Sequence, residues 1–63
     1  MDFSIISDGG SVVLVLPRTA EARAWVAEHI DADATKLGDA FGVEIRYLAD
    51  LIAGIQADGF TIN

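Results

Sequence analysis

The absence of cysteine from a chain of only 63 residues is the feature that most constrains its fold. A chain this short buries only roughly 60% of the surface that its unfolded form exposes, so its stability is marginal. Small domains usually compensate with disulfides, a structural metal or oligomerisation. The chain has no cysteine to form a disulfide, and His29 is its single histidine, so neither a disulfide nor a structural metal is expected. The sequence therefore predicts a single small domain over residues 1–63, a homodimer as its support, and a reducing, cytoplasmic compartment.

The first sixteen residues have the pattern of a β-hairpin. Residues 3–7 and 12–16 are rich in Val, Ile and Leu, and the Asp-Gly-Gly run at 8–10 tolerates the positive φ of a tight turn. A two-residue turn at 8–9 or at 9–10 gives the same alternation of side chains across the two strands. The predicted core set is Phe3, Ile5, Val12, Leu14 and Leu16, and the predicted outer set is Ser4, Ile6, Val13 and Val15.

The predicted outer set is unusually apolar, because Ile6, Val13 and Val15 would face away from the core. A sheet that is covered on one side normally carries polar residues on the other. Two interpretations stay open. These side chains are ordinary scattered surface residues, or they form an oligomer or partner surface.

The first helix is predicted over residues 20–30. Pro17 ends the second strand, Thr19 is a favourable N-cap, and Glu21 lies in the first turn, where the helix dipole favours an acid. Apolar spacing then defines the core side of this helix. The predicted core side consists of Ala22, Trp25, Val26, His29 and Ile30.

The second half of the chain predicts a connection, a helix and a short strand. Residues 31–42 are polar and predict a connection with at most one short turn around 35–40. Residues 43–58 predict a second helix that is stopped by Gly59, and residues 60–62 a third strand. This order predicts an α+β fold, in which two helices pack on one face of a three-stranded antiparallel or mixed sheet.

Two residues of the second predicted helix need an explanation. Glu44 would lie in the first turn, where it accepts hydrogen bonds from backbone N–H groups or pairs with Arg18 or Arg23, and the alternative is a role in recognition. Gly54 costs roughly 1 kcal/mol relative to alanine in a helix interior. A close approach by the first helix or the sheet would compensate for this cost, and so would contact with a partner's backbone.

No residue pattern supports catalysis, a metal or a cofactor. Asp31, Asp33 and Thr35 match the first ligand positions of a calcium loop, but Lys36 and Gly42 stand where that loop needs a glycine and a bidentate glutamate. The sequence contains no phosphate-binding loop and no nucleophile elbow. The single histidine lies near a helix end, where a structural role is expected. The chain is therefore predicted not to be an enzyme.

Charge indicates the class of partner. Ten acidic residues against four basic ones give a net charge of -6, and the resulting field repels nucleic-acid backbones and anionic membranes but attracts basic proteins. The longest apolar run, residues 12–16, is far shorter than the roughly 20 residues that cross a bilayer. We expect a protein partner with a basic surface, and neither direct nucleic-acid binding nor membrane insertion. The predicted acidic partner-binding face consists of Glu21, Glu28, Asp31, Asp33, Asp39 and Asp50.

The last third of the chain carries a resemblance. Residues 42–47 read Gly-Val-Glu-Ile-Arg-Tyr, and they are followed by Asp50, Gly54 and the Asp-Gly pair at 58–59. This segment resembles a group of small uncharacterised bacterial and phage proteins, whose tail is similar to Val-Glu-His-Arg-Tyr with a spaced glycine and a closing Asp-Gly. Here an isoleucine replaces the usual histidine. A weaker likeness covers residues 17–28, and the resemblance implies no activity.

Two functions fit these observations. The first is a non-enzymatic protein-binding module whose acidic face engages a basic protein. One form of it is an inhibitor of a nucleic-acid-binding protein, of the anti-CRISPR or DNA-mimic type. The alternative is a small structural subunit or homodimer that assembles through Ile6, Val13 and Val15, with the negative charge serving solubility.

Overall fold

The computed structural model describes residues 1–7, 9–30 and 36–62, which form two helices and one four-stranded sheet. The strands pair antiparallel in the order β1-β2-β4-β3. The predicted α+β class is confirmed, whereas the predicted count of three strands is wrong. The elements are β1 (Phe3–Ile6), β2 (Val12–Pro17), α1 (Ala20–His29), β3 (Lys36–Leu37), β4 (Ala40–Glu44) and α2 (Ile45–Ala57).

The first hairpin is confirmed, but its register differs from the predicted one. Phe3 lies opposite Pro17, so odd-numbered residues of β1 pair with odd-numbered residues of β2. A two-residue turn would pair odd with even, and a shift of one residue moves every side chain of a strand to the other face. Val13 and Val15 are therefore core residues, 1% and 0% exposed, and their predicted place on the outer face is wrong. Three residues predicted for the core lie on the outer face instead: Val12, Leu14 and Leu16.

Residues 36–44 form a second hairpin that the sequence reading missed. β3 and β4 are joined by a two-residue turn in which Gly38 has φ +63°, a conformation that glycine adopts without strain. β4 then pairs with β2, with Val43 opposite Val13. Residues 43 and 44 are thus strand rather than helix, and α2 begins two residues later than predicted.

The helices cover one face of the sheet. Thr19 caps α1 as predicted, because its Oγ1 accepts a hydrogen bond of 3.0 Å from the backbone N–H of Ala22. α1 ends at His29, close to the predicted boundary. The two helices pack against the inward-facing residues of β1, β2 and β4 around one apolar cluster. This cluster consists of Phe3, Val15, Ala22, Trp25, Val26, Phe41 and Ile55.

The C-terminal segment closes the fold beside β1. The predicted third strand at residues 60–62 is reduced to one parallel bridge between Ile62 and Phe3. Asp2 holds this segment in place, because its Oδ2 accepts hydrogen bonds from the backbone N–H and the hydroxyl of Thr61 at 3.0 and 3.2 Å. Neither helix in the described part of the chain is long and apolar enough to cross a membrane.

Candidate protein-interaction surfaces

The outer face of the sheet is the side opposite the two helices. Leu14 lies at its centre, with Ile6 on one side and Gly42, which contributes no side chain, on the other. Ile6, Val12 and Leu37 are 49%, 51% and 69% exposed. The face thus presents exposed apolar side chains on β1, β2 and β3, whereas Ser4 and Ala40 on the same face are only 7% and 6% exposed. The name outer sheet face is used below for Ser4, Ile6, Val12, Leu14, Leu16, Leu37, Ala40 and Gly42.

The outer face of the sheet is therefore apolar, as expected, but it is formed by different residues. Of Ile6, Val13 and Val15, only Ile6 lies on the outer sheet face, and the two valines pack in the core. β2 is apolar at every position from Val12 to Pro17, so turning it over replaces one apolar set with another. A one-residue error in register was invisible to the sequence pattern for the same reason.

Among the residues that the structure describes, charged side chains lie only at the two ends of this face. At one end the Arg18 guanidinium donates a hydrogen bond of 3.2 Å to the Ser4 hydroxyl. At the other end Glu44, which lies opposite Val12 on the neighbouring strand, forms an ion pair of 2.9 Å with Arg46. Both partners of that pair are exposed, so it contributes little stability. The predicted role of Glu44 as a side-chain cap or a partner of Arg18 is wrong, because its carboxylate makes no capping bond and pairs with Arg46.

The acidic residues of the described segments divide into two groups. Asp2, Glu44 and Asp58 each have a partner: Thr61, Arg46 and the Trp25 indole N–H, which donates to Asp58 at 2.6 Å. The carboxylates of the other four are exposed and make no hydrogen bond or ion pair within residues 1–7, 9–30 and 36–62. These four, named the unpaired acidic set, are Glu21, Glu28, Asp39 and Asp50.

The unpaired acidic set coincides with the described part of the predicted acidic face. Glu21 and Glu28 lie on α1 and Asp50 on α2, whereas Asp39 lies in the turn between β3 and β4. None of the four is on the outer sheet face. The other two predicted members, Asp31 and Asp33, lie outside the described residues, as does the calcium-loop comparison that rests on them.

His29 has a structural environment. Its ring stacks on Trp25 with 4.3 Å between ring centroids and 15° between planes. Its Nδ1 lies 2.9 Å from the backbone carbonyl oxygen of Trp25, a contact in which Nδ1–H donates. Across the segments that the structure describes, no three His, Cys, Asp or Glu side chains come together in a way that could hold a metal ion.

A shallow cleft of about 400 Å³ opens between the end of α1 and the start of α2. Its floor is apolar and includes Ile30, Phe41 and Leu51, and its rim carries Glu44 and Tyr47. The segment that carries the tail resemblance therefore forms one wall of this cleft. His29 also lines the cleft, with its Nδ1 bonded to the carbonyl oxygen of Trp25, and the Glu44 carboxylate is ion-paired with Arg46.

Asp2 is the described acid whose pKa is shifted, and its environment explains the direction. The backbone N–H of Thr61 is the largest cause, and the hydroxyls of Thr19 and Thr61 add to it. Each of these hydrogen bonds favours the charged carboxylate, so together they hold the pKa of Asp2 below its usual value of 3.8. This carboxylate joins the two ends of the chain and is separate from both candidate surfaces.

The sequence reading missed the residues that matter most on the outer sheet face, Leu14, Val12 and Leu37. The sequence indicated the register only through the length of the first turn. The number of residues between Ile6 and Val12 decides which side of β2 faces inward. No protein-family model, curated protein or solved structure matches the chain, so any functional proposal rests on the surfaces described above.

Proposed function

We propose that the chain is a small non-enzymatic protein-binding module whose unpaired acidic set engages a basic surface on a protein partner. The observation that carries this proposal is the division of the described acids into two groups. Three carboxylates have partners, whereas Glu21, Glu28, Asp39 and Asp50 are exposed and have none among the residues that the structure describes. Charges that support the fold are expected to be paired, so these four are available to an external cation.

The charge balance supports the same proposal. A net charge of -6 on 63 residues produces a negative potential that raises the rate of encounter with a basic protein. Exposed ion pairs are each worth about 0.2–1 kcal/mol, so recognition depends on several carboxylates acting together. One form of this function is inhibition of a nucleic-acid-binding protein, in which the carboxylates occupy the surface that otherwise binds phosphates.

The first experiment compares matched charge removals. Glu28→Gln removes an unpaired carboxylate, and Glu44→Gln removes one that is already paired with Arg46. Binding to poly-lysine, measured by fluorescence anisotropy, should weaken for Glu28→Gln and change little for Glu44→Gln. Neutralising all four unpaired acids should weaken it about tenfold or more, which corresponds to about 1.4 kcal/mol. Equal effects of the two single variants would contradict the proposal.

The second experiment tests the salt dependence and the inhibitor form. Association with a basic nucleic-acid-binding protein should weaken steeply between about 0.01 M and about 1 M salt, where the screening length falls from about 30 Å to about 3 Å. The chain should also displace labelled DNA from that protein at low salt, and the fourfold neutralised variant should not. Binding that is insensitive to salt would contradict an electrostatic mechanism.

A further inference from the structure

The outer sheet face remains to be explained, because the helices cover only the opposite side. Its centre is formed by Ile6, Val12 and Leu14, and Leu37 extends it onto β3. A one-sided sheet normally presents polar side chains here. Contiguous apolar patches of this kind on small proteins mark interaction surfaces. We propose that a second copy of this chain covers the face, so that two sheets pack against each other in a symmetric dimer.

Charge limits where a second copy can bind. Two chains that each carry a charge of -6 repel one another unless they meet where neither has a negative charge. The interior of the outer sheet face has no charged residue, and the unpaired acidic set lies elsewhere. It is therefore the surface on which two copies can approach without burying a carboxylate.

The size of the face sets the strength of the dimer. The four strands have 4, 6, 5 and 2 residues, so at about 3.3 Å per residue and about 4.8 Å between strands the face covers roughly 270 Å² per copy. A pair buries on the order of 550 Å² of flat area, and somewhat more with side-chain relief. An interface of this size is weak, so we expect a reversible dimer that forms only at high protein concentration.

The ends of the face indicate how the two copies are oriented. Arg18 lies at the end marked by Ser4, and Glu44 lies at the end marked by Val12. A two-fold axis through the centre of the face and across the strands makes the facing strands antiparallel. The Arg18 end of one copy then meets the Glu44 end of the other, where the Arg18 guanidinium would share the Glu44 carboxylate with Arg46.

The test is the oligomeric state of the whole chain and of matched variants. Analytical ultracentrifugation from about 1 µM to about 1 mM should show the 6.7 kDa monomer converting to a dimer. Leu14→Glu should weaken association at least tenfold, because it places a carboxylate at the centre of an apolar interface. Ala24→Glu adds the same charge at an exposed position of α1 and should leave the dimer intact.

A second substitution keeps the test valid if Leu14→Glu fails to fold. Val12 is half-exposed in the single chain, so Val12→Glu should keep the native far-UV circular dichroism spectrum while weakening the dimer. A wild-type chain that stays monomeric up to about 1 mM would overturn the proposal. So would a dimer that persists with both glutamates. The two proposals remain distinguishable, because binding of a short cationic peptide to Glu21, Glu28, Asp39 and Asp50 does not depend on the oligomeric state.

Charge exchange tests the orientation. Arg18→Glu and Glu44→Arg should each weaken the antiparallel dimer about two- to fivefold, as expected for exposed pairs, and the double variant should restore it. Failure of the double variant to restore association would overturn the antiparallel arrangement.

Discussion

Gly54 provides a sharp test of the packing around α2. It is the tenth residue of the 13-residue helix Ile45–Ala57, a position where glycine costs about 0.8–1.0 kcal/mol relative to alanine. The sequence reading expected a close approach by the first helix or the sheet to compensate for that cost. That expectation is wrong, because a Cβ atom built on Gly54 meets nothing within 4 Å. Gly54→Ala should therefore stabilise the chain by about 1 kcal/mol.

The effect should be easy to measure in so small a domain. A change of about 1 kcal/mol shifts the midpoint of thermal unfolding by about 4–8 °C in a domain of this size. Unfolding can be followed by circular dichroism and by the fluorescence of Trp25, which is buried and bonded to Asp58. Urea denaturation should give a higher midpoint with an unchanged slope.

Gly59 supplies the matched control. A Cβ there also meets nothing within 4 Å, but Gly59 has φ +91°, a conformation that is strained for any other residue. Gly59→Ala should therefore destabilise the chain by about 1 kcal/mol or more. The two substitutions are chemically identical and should have opposite signs.

One result would refute this reasoning. If Gly54→Ala were neutral or destabilising while Gly59→Ala behaved as expected, another chain would have to pack against Gly54. A destabilisation that grows with protein concentration would identify that chain as a second copy, and the dimer would then use α2 rather than the outer sheet face.

Two further predictions follow from the register and from the termini. Val13→Glu should prevent folding, because it buries a carboxylate in the core, whereas Val12→Glu one residue earlier should fold, and circular dichroism distinguishes them. If both folded, the register would be contradicted. Asp2→Asn should lower the unfolding temperature at neutral pH, because the charged carboxylate holds Thr61 and Thr19. Because the folded pKa is lowered, the wild-type advantage is present above pH 3.8 and is lost as the pH falls through the folded pKa. An advantage that persisted at the lowest pH would contradict this assignment.

Local signals in the sequence predicted the local structure well. The hairpin, the Thr19 cap and the burial of Ala22, Trp25 and Val26 on α1 each depend on neighbouring residues, and the structure confirms them. His29, which was predicted for the same buried side, is exposed. The residues of β2 did not themselves indicate its register, because Val12 to Leu16 are apolar at odd and even positions alike, and only the length of the first turn carried that information. The second hairpin was missed for a related reason. In β4 the large apolar residues Phe41 and Val43 alternate with the small residues Ala40 and Gly42. No polar residue marks the outer side of the strand there, so the strand pattern is weak.

The outer sheet face is apolar in both the predicted and the observed register, because β2 is apolar on both of its sides. A strand that is apolar on both sides suits a sheet covered on both faces, and a chain of 63 residues has helices for only one. Neither described helix covers the outer sheet face, so a second chain could provide that cover. A sheet-to-sheet dimer would supply it and would turn the helices of the two copies, with Glu21, Glu28 and Asp50, toward opposite sides. Such a dimer carries two separate acidic surfaces, so it could bind a multivalent basic partner more tightly than the monomer does. Leu14→Glu should therefore weaken binding to a long cationic polymer but leave binding to a short cationic peptide nearly unchanged. If Leu14→Glu weakened binding to both probes equally, the prediction that the dimer binds a multivalent partner more tightly would be contradicted.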